Sequence, residues 1–187
     1  MFLLDSNIFI EAKDRYYGFD FAPGFWDWLD ILFQSDQIRS IDAVRDELNE
    51  RNDELALWVK DRKQYFLPTE DTEVLRKFAE LNEWAEKQGY PRAALFEAED
   101  NPTDFLLVAY AQVHKLILVT HEKSAPQSKK RVMIPDACKA KGVTVIDTFE
   151  MLRQTKISLV LENQPDNDAG DKGVGGPRGS IQPLPGL

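Results

Sequence analysis

The chain has 187 residues, a hydrophobic fraction of 43%, an aromatic fraction of 11% and a formal net charge of -9. That is enough apolar material for one domain with a real core, which excludes a disordered chain, and no apolar run approaches the ~20 residues needed to span a membrane. The acidic balance repels nucleic acid at long range, so any nucleic-acid role must work through metal ions, a local basic patch or a partner.

The first apolar run, Phe2-Leu3-Leu4, reads as a short buried strand ending at Asp5. The start lacks the basic residues of a signal peptide, and Asp5 interrupts the apolar stretch. Residues from Asn7 to Ala12 read as a short helix, and Gly18 to Pro23 as a loop rich in aromatics. Phe25, Trp28, Leu29 and Leu32 follow helical spacing. Ile38 to Ile41 is a strand, and Asp42 is placed to cap a helix with Val44 and Leu48 on one face. A polar helix follows over Asp53 to Lys63, then a strongly periodic one over Glu70 to Lys87, broken by Gly89-Tyr90-Pro91.

Asn101-Pro102 opens a helix through His114, since proline suits a first turn. Leu116 to Val119 is a buried strand, 123 to 133 a basic loop, and Pro135 to Lys141 a short helix stopped by Gly142. Val143 to Ile146 is another strand, and Asp147 with Glu150 starts the last helix, through Thr155. Strands separated by helices imply an α/β sandwich with a mostly parallel sheet. A single domain is expected over 1–161, with a helical insert around 53–99. The Gly- and Pro-rich stretch 162–187 is expected to be a disordered tail. Cys138 is the only cysteine, which excludes an intrachain disulfide and a Cys-based zinc site and fits a reducing cytoplasm.

Ligands of open parallel sheets gather beyond the carboxyl ends of the strands. Four acids fall near such ends or in the adjoining helices: Asp5, Glu47, Asp104 and Glu122. Brought together, they would need a cation to offset their repulsion, and hard oxygen ligands suit Mg²⁺ or Mn²⁺. Each also has an ordinary reading as a cap, a helix-dipole acid or a surface charge. Lys123, Lys129, Lys130 and Arg131 form the one dense basic cluster, either a phosphate contact or a solvated loop. His121 stands beside the strand end and could move a proton, though a lone histidine is more often structural. The loop aromatics Tyr16, Tyr17, Phe19 and Phe21 either bury under the insert or serve a ligand.

The four acidic segments together resemble the PIN domains, a family of metal-dependent ribonucleases. Leu3-Leu4-Asp5-Ser6-Asn7-Ile8 is similar to the opening motif and Val44-Arg45-Asp46-Glu47-Leu48 to the second. The stretch from Asp104 to Ala111 is similar to the third, and Leu118-Val119-Thr120-His121-Glu122 to the fourth. The resemblance covers roughly residues 1 to 155 and extends, through the 121–152 stretch, to a less characterised bacterial PIN-like branch.

It implies an α/β/α sandwich, a site of Asp5, Glu47, Asp104 and Glu122 holding Mg²⁺ or Mn²⁺, and supporting roles for Asn7 and Thr120. It also implies cleavage of an RNA substrate, and for many bacterial members a toxin role with an antitoxin protein as partner. Two departures stand out. The fourth acid is glutamate where aspartate is usual, with Asp136 as an alternative, and the insert exceeds a minimal domain, leaving it free to cover the site, pair two copies or hold a partner. A non-catalytic RNA- or protein-binding module stays open. An aspartyl-phosphate enzyme is disfavoured, because Asn7 stands where a second acid is wanted.

Overall fold

The computed structural model describes residues 1–90, 103–160 and 181–183. The sheet has five strands in the order β3-β2-β1-β4-β5, all parallel. These are β1 (Phe2–Leu4), β2 (Ile38–Ile41), β3 (Phe66–Leu67), β4 (Ile117–Val119) and β5 (Val145–Ile146). The helices are α1 (Ser6–Glu11), α2 (Pro23–Gln34), α3 (Asp42–Asn49), α4 (Glu54–Lys60), α5 (Thr72–Lys87), α6 (Thr103–His114), α7 (Ile134–Lys141) and α8 (Thr148–Thr155). This is the parallel α/β sandwich that the alternation of strands and helices implies.

β1 is central because Leu3 and Leu4 are apolar and wholly buried, as a strand covered on both faces requires. The chain leaves β1 for β2 and β3 on one side, then returns to place β4 and β5 on the other. The carboxyl ends of β1 and β4 therefore flank the point where strand order reverses, the usual ligand crevice of such sheets. The register pairs Leu4 with Val119. The next residues on the two strands, Asp5 and Thr120, consequently lie side by side.

Several elements differ from the pattern read in the sequence. The helix expected to end at Ala12 continues as a π-helical turn over Ala12–Tyr16. Asp42 is the first helical residue of α3 rather than its cap. The polar helix ends at Lys60; a 3-10 turn, Lys63–Tyr65, and the short strand β3 follow it. Asp53 caps α4, its side chain accepting from the Leu55 and Ala56 amides. Gly142 ends α7 in the left-handed region, at φ 68°.

The periodic face of α5 is spent within the molecule. Val74, Leu81 and Ala85 are fully buried, Phe78 meets Phe105 of α6 edge-on at 6.2 Å, and Lys141 of α7 donates to the Glu80 carbonyl at 2.9 Å. The loop aromatics do not rest under this helix. Tyr17 stacks on Phe25 at 4.2 Å and Phe19 on Trp26 at 4.1 Å, both on α2.

Past α8, β6 (Ile157–Leu159) pairs antiparallel with β7 (Ile181–Pro183). Residues 91–102, 161–180 and 184–187, which include the end of the insert, the Asn101-Pro102 helix start and most of the tail, lie outside the described residues. Among the described residues no helix is long and apolar enough to cross a membrane.

Candidate active site

The site is built from the chain's turn out of β1. The Asp5 amide donates to the Val119 carbonyl at 3.0 Å, extending the ladder by one residue. Asp5 is 2% exposed, so its carboxylate is set deep at the carboxyl end of the central strand rather than in solvent. Although Asp5 takes the N-cap position of α1, its side chain makes no capping hydrogen bond. Its oxygens face other partners.

Asn7 donates through Nδ2 to Asp5 Oδ2 at 2.5 Å and to Thr120 Oγ1 at 3.0 Å. The Thr120 hydroxyl in turn donates to Asp5 Oδ2 at 2.7 Å and accepts from the Glu122 amide at 3.1 Å. Asn7 Oδ1 accepts from the His121 amide at 3.0 Å. Both supporting side chains thus use their donors and acceptors in a closed network, which fixes the rotamer of Asp5. The Ser6 hydroxyl, at 3.4 Å from Asp5 Oδ1 and 3.0 Å from Glu47 Oε1, joins the two acids.

α3 brings Glu47 and the first turn of α6 brings Asp104. Burial raises the Asp5 carboxyl to about 7, and the charges of Asp104 and Glu47 push the same way, against hydrogen bonds from Thr120 and the Ser6 amide. Burial also raises Asp104; Arg131 opposes the shift and Glu47 adds to it. The structure therefore brings Asp5, Glu47 and Asp104 into one electrostatic cluster.

Glu122 is engaged elsewhere. It forms an ion pair with Arg131 and accepts from the Ile134 amide at 2.8 Å. Asp136 accepts from Ser124 and from the Ala125 amide at 2.9 Å, holding the basic loop to the start of α7. Neither acid is free to join the cluster without giving up these bonds. In the basic loop, Lys129 lies over the Tyr90 ring at 4.5 Å, while Lys123 and Lys130 are exposed. Cys138 is fully buried, and burial together with the Asp5 charge raises its thiol to about 12, which makes it inert at neutral pH.

The His121 ring is held by Thr148, with Nε2 3.0 Å from the hydroxyl. Burial lowers its pKa, opposed by Glu11 and Asp147 and assisted by Lys123. Nothing in the sequence marks Ser6 as a site residue. Only the fold reveals it, because its bridging role depends on Glu47, 41 residues away.

The donor chemistry of the cluster fits a hard divalent cation. It offers carboxylate oxygens from three elements, with Asp5 buried beside two like charges. Among the described residues, no three His, Cys, Asp or Glu groups already stand at ligating spacing, so ligation requires the side chains to draw inward.

The fold and this cluster define a class: an α/β protein with an acidic crevice at the switch point of a parallel sheet. The chain belongs to the family described as a domain of unknown function, DUF4411, whose model matches residues 2–159. No curated protein matches it. Similar solved structures include FitAcB from Neisseria gonorrhoeae, at 21% identity and TM-score 0.48 over 78% of this chain and 96% of that one. VapBC2 from Rickettsia felis, bound to a DNA fragment from its promoter, is similar at 15% identity and TM-score 0.48 over 78% and 97% of the two chains. Likeness at that level carries no argument about activity or partner.

Proposed function

We propose that this protein is a metal-dependent ribonuclease, with the toxin half of a toxin–antitoxin pair as its biological setting. The observation that carries the nuclease reading is the approach of Glu47, through Ser6, and of the Asp104 charge to a buried, hydrogen-bonded Asp5. The toxin setting and an antitoxin partner rest on the resemblance of the four acidic motifs alone.

Asp5, Glu47 and Asp104 would hold Mg²⁺ or Mn²⁺. Such an ion would supply charge to offset the cluster's own, together with an activated water and stabilisation of the charge that builds on a phosphodiester. Asn7 and Thr120 keep Asp5 Oδ2 oriented, and Ser6 couples Asp5 to Glu47. Arg131, paired with Glu122 and acting on Asp104, would offer a cation to an RNA phosphate. Lys123, Lys129 and Lys130 extend that positive edge.

A second reading, a non-catalytic RNA- or protein-binding module, is favoured by the ties that hold Glu122 away from the cluster. The deciding experiment is cleavage of total RNA by purified protein in Mn²⁺, with EDTA and Asp104→Asn as controls. Removing one of three clustered ligands should lower cleavage by at least ~100-fold, and EDTA should abolish it. Undiminished cleavage by the variant would show that the site lies elsewhere. No cleavage under any divalent ion would favour the binding module.

A further inference from the structure

Next to the acidic cluster is a shallow aromatic depression that the hydrolytic chemistry does not use. It is lined by Ile8, Ala12, Tyr17 and Phe25 below, with Tyr16, His121 and Phe149 around it. The lower residues Ile8, Ala12 and Phe25 are buried, which gives a firm base. Tyr16 and Phe149 are not: they are 48% and 46% exposed, and each ring lies 6.4 Å from the His121 ring. The π-helical turn, closed by the Tyr17 amide on the Ala12 carbonyl, sets Tyr16 at this rim.

We infer that Tyr16, His121 and Phe149 form a stacking subsite for one nucleobase of single-stranded RNA; the choice of RNA rests on the nuclease reading. The first ground is continuity. The His121 amide donates to Asn7, which donates to Asp5, and Thr120, the residue before His121, donates to Asp5 as well. The His121 ring is therefore carried by the residue next to the one that holds Asp5.

The second ground is chemistry. Tyr16 and Phe149 expose uncharged rings to solvent beside His121, which suits a flat base. The Thr148 hydroxyl, 3.0 Å from His121 Nε2, is a polar group within this lining. Every base has a π-face, so stacking here would place the strand without reading its sequence.

The test is equilibrium binding by the full chain in Ca²⁺, read by fluorescence anisotropy. The probes are a fluorescein-labelled oligoadenylate and an abasic oligoribonucleotide with the same number of phosphates. The base-bearing probe should bind roughly tenfold tighter. Phe149→Ala and Tyr16→Ala should each erase most of that difference, and Tyr16→Phe should keep it. Both side chains are about half exposed, so thermal melting should confirm that the variants remain folded.

Equal binding of the two probes, failure to bind either, or unchanged affinity in both alanine variants would overturn the subsite. Base-dependent binding without Mn²⁺-dependent cleavage would retain the subsite and remove the nuclease reading. Cleavage with base-independent binding would do the reverse.

Discussion

Asp5 concentrates the physical tension of the molecule in one side chain. Its carboxyl titrates at about 7 when folded, against 3.8 as the ordinary value. Below the ordinary value both states carry the proton, and the effect vanishes. Between the two values the folded state holds a proton that the unfolded state has lost, so metal-free stability falls as pH rises, in total by on the order of 4 kcal/mol. Asp5→Asn removes the charge and keeps an acceptor toward Asn7 and Thr120. In EDTA, the variant should gain stability relative to the native protein between pH 5 and pH 8, measured by urea denaturation. A native-minus-variant difference that stays flat with pH would contradict the assigned titration.

At this same scale the sequence was informative in part. The placement of Asp5, Glu47 and Asp104 near strand and helix ends is legible, because each has a fixed place relative to an apolar run; that they act on one another appears only in the fold, through Ser6 and the charges on Asp5. The engagement of Glu122 was not legible. It depends on Arg131 folding back across a polar loop and on the Ile134 amide, and neither leaves a periodic trace.

Among the elements, α5 carries the largest addition to the sheet-and-helix frame, and its buried face binds it to α6, the helix that presents Asp104. Leu81 is wholly buried and Leu75 is 52% exposed on the same helix. Leu81→Ala should cost ~2–5 kcal/mol, whereas Leu75→Ala should stay within ~0.5 kcal/mol. Equal losses in denaturant titrations would show that α5 is not packed as described. The periodicity of α5 was plain in the sequence because sixteen residues give the pattern room to repeat. Phe66–Leu67 and Val145–Ile146 are two-residue strands, too short for any alternation. The former leaves no mark in the sequence, and the latter is half the length that the run Val143 to Ile146 implies. The β6–β7 pairing joins residues far apart in the chain, so local composition held no sign of it.

For the molecule as a whole, the proposed ion would change stability as well as activity. Cation binding and Asp5 deprotonation are linked, so Mn²⁺ should raise the melting temperature more at pH 8 than at pH 6. Asp104→Asn should lose most of that gain. A rise that is independent of pH, or retained in the variant, would place the bound ion outside the cluster. The net charge of -9 sharpens the expectation, since one divalent ion in the crevice also relieves repulsion across the molecule.

The π-helical turn at Ala12–Tyr16 has a genetic consequence. Such a turn accommodates one residue more than an α-helix would over the same path. Loss of a single codon there would let the segment close as ordinary α-helix without shifting the residues on either side. The change would fall on the turn that carries Tyr16 and leave the acids on the other elements in place. An in-frame deletion of one triplet is therefore a small heritable step that alters the proposed stacking rim and spares the acids proposed to hold the metal.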